Sequence, residues 1–176
     1  LPDYYSLVKN GTWTIDKFIE SVVQVHSDLD GNGEYDTNYL YGALLWDDTV
    51  MGMINATGDK CCTVGPDGEI LLTLNTERVV NMLEKYFSVG FDNAVCHTYQ
   101  RKNWDGVAAI NMFSNNQALF FLRLLLDVES LRSMETDFGI LPYPKYDEAQ
   151  SEYYNTVGSW HSVFMCVPKV QENLDR

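Results

Sequence analysis

Positive charge is scarce in this chain: 12 Lys and Arg residues face 25 Asp and Glu, a formal net charge of −13. A surface of that sign repels phosphate backbones and anionic headgroups, so nucleic acid and anionic membranes are poor partners. No apolar run approaches the ~20 residues that a spanning helix needs, and no membrane insertion by this segment is expected. The four cysteines, Cys61, Cys62, Cys96 and Cys166, contain no C-x-x-C pair. That spacing argues against a zinc site or a dithiol redox motif and leaves buried free thiols as the expectation. His26, His97 and His161 are too scattered for a metal-ligand spacing, and no serine sits in a G-x-S-x-G elbow, so each histidine is read as structural. A glycine-rich phosphate cradle is missing too, which disfavours nucleotides. With five prolines and no internal repeat or low-complexity tract, the chain offers no linker at which to divide it.

What is present is a chain of 176 residues, 45% apolar and 13% aromatic. Such a chain removes roughly two-thirds of its unfolded surface from water without disulfides or a structural metal. One α/β domain spanning 1–176 is expected. Because the chain opens on Leu1 and closes just after Pro168-Lys169-Val170, a helix-like start, it reads as a piece of something longer.

Periodicity supplies the elements. Thr14 precedes Ile15, Phe18, Ile19, Val22 and Val23, which predicts a helix from about 15 to 27. Tyr41 to Trp46 reads as a buried strand, Thr49 to Thr57 as a helix ending before Gly58, and Gly65-Pro-Asp-Gly68 as a turn between two extended pieces. Thr76 caps a helix whose apolar positions, Val79, Val80, Met82, Leu83, Tyr86 and Phe87, mark one buried face, and Gly90 ends it. A helix from about 105 to 114, a fully buried strand from Gln117 to Leu122, a helical stretch from Leu124 to Met134 and a strand from Phe138 to Leu141 follow. Pro142 and Pro144 halt that strand, and Val163 to Val167 gives a last one. Short strands alternating with helices predict a mostly parallel sheet flanked by helices.

Three constellations stand out. The loop Asp28-x-Asp30-x-Asn32-Gly33-Glu34-x-Asp36 sets oxygen ligands at the spacing of a calcium loop, with Gly33 at its sharp turn. Tyr39 stands where a bidentate carboxylate belongs, and Asp, Asn and Gly also form turns unaided, so both readings stay open. Trp46-Asp47-Asp48 ends a predicted strand, where open α/β sheets place their ligand crevice. Carboxylates accept hydrogen bonds from hydroxyl groups and an indole packs against sugar C–H faces. The alternative there is a core-closing Trp beside two helix-capping acids. Arg123 follows the apolar strand and either caps a helix C-terminus or reaches a cleft. Adjacent acids diverge on a strand or helix, so they do not supply a facing catalytic pair.

Ordered segments then point to a family. Gly11-Thr-Trp-Thr-Ile-Asp-Lys-Phe18, the Asp28 to Gly33 loop leading to Tyr41-Gly42, Met112-Phe113 through Ala118-Leu-Phe120, and Leu131-Arg-x-Met134 through Phe138-Gly-Ile-Leu-Pro-Tyr-Pro-Lys145 resemble the carbohydrate-binding extracellular solute-binding proteins of ABC importers. The resemblance implies one lobe of a type II periplasmic-binding-protein fold: residues 1–159 the second lobe, 160–176 a segment returning toward the first. It further implies a sugar receptor and not an enzyme, periplasmic or lipid-anchored at the cell surface, that closes on its ligand and presents it to permease subunits. The ligand contacts it implies are Trp46, Asp47, Asp48, Phe121, Arg123 and Trp160, with Arg123 where the family commonly has glycine. A calcium-dependent extracellular interaction module built on the acidic loop (Asp28, Asp30, Asn32, Glu34, Asp36) is the alternative function.

Overall fold

The structure is a computed structural model that describes residues 1–98 and 106–157. Asp3 caps a first helix, α1 (Tyr4–Lys9), through its carboxylate, which accepts the Ser6 N–H. Thr14 caps α2 (Ile15–Val22), turning Ile15, Phe18 and Val22 inward. This helix ends five residues short of the expected 27, and after a four-residue turn β1 (Ser27–Asp28) begins. Its end falls where Val22 meets the sheet: a Cβ built on Gly42 would lie 2.2 Å from the Val22 carbonyl oxygen.

The hub of the sheet is β2 (Tyr39–Leu45). It pairs antiparallel with β1 and parallel with both β5 (Cys96–Thr98) and β6 (Ala118–Phe121). The fold is therefore mixed α/β with a mixed sheet. Gly42 and Ala43 both aim their N–H groups at the Val95 carbonyl, at 2.7 and 3.4 Å. Two donors opposite one acceptor make a bulge, which resets the in-and-out alternation. Tyr39, Tyr41 and Leu44 accordingly share one layer with Met112 and Ala118. Ala43 and Leu45 join the other, with Trp13, Phe18, Met82 and Cys96. The first layer packs on α5 (Gly106–Ser114), and the second receives α2, α3 (Thr49–Ala56) and α4 (Glu77–Gly90).

Several expectations change. Val80 and Phe87 do not join the buried face of α4; they are 42% and 39% exposed, with the Phe87 ring tilted against Phe91 at 4.8 Å. Val79, Met82, Tyr86 and Val89 form the narrower buried stripe that meets α2, α3 and β5, with Leu83 partly buried beside it. The strand from Phe138 to Leu141 is replaced by extended chain without a ladder, because Ile140 N–H donates to the Tyr5 hydroxyl. The proline-rich segment behind it becomes a strap: Lys145 exchanges backbone hydrogen bonds with Trp13 and Ile15, at 3.1 and 2.8 Å. Gln150 then ties the strap to α3 by donating to the Ala56 carbonyl. The helical stretch after Leu124 is a 3-10 helix, Leu125–Leu131, and Phe120 and Phe121 on β6 are half-buried instead of fully buried.

Residues 62–64 and 70–72 form a two-stranded hairpin, β3 and β4, around the Gly65-Pro-Asp-Gly68 turn. Both strands are exposed, so the expectation of buried thiols fails for Cys62, which is exposed, and for Cys61, which is half-buried. Cys96 alone of the three described cysteines is buried, and desolvation pushes its thiol up to about 12. The expected strand from Val163 to Val167 and the helix begun by Pro168 lie outside the described residues, as do His161 and Cys166. Among the described residues no helix is long and apolar enough to cross a membrane.

Candidate functional site

The parallel strands β2, β5 and β6 run out at one edge of the sheet, and their register puts Leu44 beside Phe121 and Leu45 beside Thr98. The residues just past those ends are therefore neighbours in space. Trp46 leaves β2 into a tight turn. Its N–H donates to the Thr49 hydroxyl at 3.0 Å, and its carbonyl accepts the Thr49 N–H at 2.9 Å. The buried Thr49 thus fixes the turn and leaves Asp47 and Asp48 exposed at the start of α3. Carboxylates are favoured there by the helix dipole. Asp48 occupies the N-cap position without a side-chain capping hydrogen bond.

On the neighbouring strand, Leu122 N–H still donates to the Leu44 carbonyl, and the next residue, Arg123, turns its side chain toward Trp46. Its guanidinium carbon lies 5.2 Å from the centroid of the Trp46 ring system, a cation–π distance. Asp127, one turn on in the 3-10 helix, accepts a hydrogen bond from Arg123 Nε at 2.7 Å. Side-chain exposures of 18% and 19% place this ion pair well out of bulk water. The first residue of α5 closes the group: a Cβ on Gly106 would come within 2.8 Å of Arg123 Nη2, so a side chain there would displace the guanidinium. Arg123 therefore lies past the strand ends with its guanidinium over the Trp46 indole.

Of the expected ligand contacts, Trp46, Asp47, Asp48 and Arg123 gather at this edge. Phe121 goes elsewhere, into the apolar layer between the sheet and α5, where its ring lies 5.4 Å from Phe113. Trp160 lies outside the described residues. Asp127 and Gly106 were missed. The i, i+4 spacing of Arg123 and Asp127 is a sequence signal for the first, and nothing in the sequence marks the second.

In contrast, the acidic loop is organised by its own hydrogen bonds. The Asp28 carboxylate accepts the N–H groups of Asp30, Gly31 and Gly33, and the Gly33 contact is 2.8 Å. These donors, the Gly33 N–H foremost, hold the Asp28 carboxyl below its ordinary value. Asp30 accepts from Asn32 and Asn38, Asp36 from Asn32 and Asn38, and Asn32 from the Glu34 N–H. Gly31 and Gly33 take φ of +73° and +78°, which this winding requires. Among the described residues no group of three or more His, Cys, Asp or Glu side chains is placed to hold a metal ion. Where β2 and β6 begin, an open groove of about 540 Å³ is lined by Leu29, Thr37, Asn38, Asn111, Asn115 and Gln117 among others. Among the described residues no aromatic ring lines that groove, whereas the Trp46 edge supplies one.

Compared with known proteins, the chain matches no family model, no curated sequence and no solved structure.

The histidines divide by environment. His97, buried in β5, lies against Tyr41 with ring centroids 5.2 Å apart. Burial also pushes the Tyr41 phenol up, and its hydroxyl donates to the carbonyl of Asp36 at the end of the acidic loop. His26 is exposed and shares a 3.4 Å hydrogen bond with the Tyr39 hydroxyl.

Proposed function

We propose that this chain is the sugar-binding lobe of an extracellular receptor that serves an ABC importer, with a type II periplasmic-binding-protein fold. The observation that carries the proposal is the meeting of Trp46 and Arg123, with Asp47 and Asp48 beside them, past the ends of adjacent parallel strands. That edge is where open α/β sheets bind ligands. The indole offers an apolar face to sugar C–H groups, and the exposed carboxylates accept hydrogen bonds from sugar hydroxyls. No bond is made or broken in this reading, so the chain works as a binding protein and not as an enzyme. The ordered family segments, from Gly11-Thr-Trp13 to Pro142-Tyr-Pro-Lys145, support the same assignment.

The geometry also bears on affinity. One sheet edge contacts one side of a ligand, and burying most of a small molecule takes an opposing wall. A two-lobed receptor supplies that wall by hinge closure, so the lobe alone binds in the millimolar range, about 4 kcal/mol. Its partners in this role are a carbohydrate ligand and the permease subunits, and its place is the periplasm or the outer cell surface. The test is a titration of intrinsic tryptophan fluorescence against a panel of neutral oligosaccharides. A saturable change at millimolar sugar is expected. Silence toward every sugar in the panel, at concentrations reaching tens of millimolar, would remove the assignment.

A further inference from the structure

An arginine at the edge of a sugar site ordinarily suggests an acidic ligand, because guanidinium groups bind carboxylates in a bidentate fork. The surroundings of Arg123 reverse that reading. Asp127 holds its Nε at 2.7 Å, and both side chains are more than four-fifths buried. At that distance the carboxylate cancels most of the guanidinium's attraction for a second anion. Asp47 and Asp48 stand exposed on the next strand end, so among the described residues the charged groups of this edge are three carboxylates, Asp47, Asp48 and Asp127, and one guanidinium. The pair also has a steric consequence. The guanidinium lies across the Trp46 ring system, where it backs the indole and occupies one of its faces. Gly106 lets α5 approach the guanidinium from beside it.

We infer that Asp127 is a positioning residue that pins Arg123 against Trp46 and neutralises it, so that the site takes uncharged glycans through the remaining indole face and rejects acidic ones. The inference rests on the sugar-binding reading above and deepens it to a ligand class. Asp127 acts through Arg123 and has no contact with ligand of its own. Replacing its carboxylate by an amide leaves the arginine's shape in place but restores its positive charge and loosens its hold.

The experiment uses the 176-residue chain as wild type, Asp127→Asn and Asp127→Glu, each with maltotriose and with trigalacturonate at millimolar concentration, read by saturation-transfer NMR. Wild type favours maltotriose by about fivefold or more, the scale of one partly screened charge contact. Asp127→Asn brings that ratio to about one or inverts it, and Asp127→Glu restores the wild-type preference. In parallel, iodide quenching of Trp46 emission, isolated as the difference from a Trp46→Phe background, rises in Asp127→Asn and returns in Asp127→Glu. A wild-type preference for trigalacturonate overturns the inference while leaving a sugar receptor standing. Unchanged quenching in Asp127→Asn overturns it as well, whatever the sugars do. If neither glycan binds any of the three proteins, the receptor reading fails and the ligand class fails with it, and the quenching comparison separately decides whether Asp127 holds Arg123 in place.

Discussion

Gly42→Ala lowers the stability of the fold by about 3 kcal/mol or more, seen as a large fall in the urea midpoint. The added methyl would sit 2.2 Å from the Val22 carbonyl oxygen and 2.7 Å from the Val22 Cβ. A flexible side chain could swing away, but a carbonyl at the end of a packed helix cannot. Moving it means moving α2, whose Ile15, Phe18 and Val22 form part of the main core. Trimming the side chain in a Gly42→Ala, Val22→Ala double variant does not restore stability, because the closest clash is with backbone. Gly68→Ala separates this from glycine's conformational role. Gly68 has φ of +81° and open space around its Cβ, so that change costs only about 1 kcal/mol of backbone strain. Similar losses from the two substitutions would contradict the close approach of α2 to β2.

The second large effect concerns binding. Trp46→Ala weakens oligosaccharide affinity at least about tenfold, because stacking and apolar burial on an indole together are worth ~1.5 kcal/mol or more. The loss exceeds the stacking term alone, since Arg123 loses the ring that backs its guanidinium. Trp46→Phe keeps a smaller ring and retains part of the affinity. Trp46 is only half-buried and sits past the end of β2, so its replacement changes stability less than a core truncation does. Chemical denaturation of the same variants separates the two quantities. An affinity unchanged in Trp46→Ala would exclude the indole from the site.

The two helices that begin at threonine caps were legible from sequence, because Thr14 and Thr76 accept the N–H groups of Lys17 and Val79 as capping predicts. Strand β2 was legible too, and with it Trp46 at its end. Strand β5 was not: three residues, one of them His97, are too few to show periodicity, yet they pair with the hub strand and carry one side of the edge. The expected Phe138 strand failed for the opposite reason. Its apolar pattern is strand-like, but its N–H at Ile140 finds a tyrosine hydroxyl, and the prolines after it lead into the strap. At the site, Arg123 was visible as a lone charge in an apolar stretch. Its direction was not, because that depends on the parallel register of β2 and β6 and on the distant Gly106. Phe121 misled for a related reason: the side of the sheet it faces follows from the pairing with Leu44, a contact no local pattern records.

Two-dimensional NMR of the isotope-labelled chain, recorded with and without millimolar maltotriose, tests the central claim most directly. The account predicts shifts that saturate together at the Trp46 indole N–H, the Thr49 amide, and Arg123 with its Asp127 partner, while the acidic loop from Asp28 to Asp36 stays still. Shifts confined to the groove of Leu29, Asn38 and Asn111, or none anywhere at saturating sugar, would contradict it.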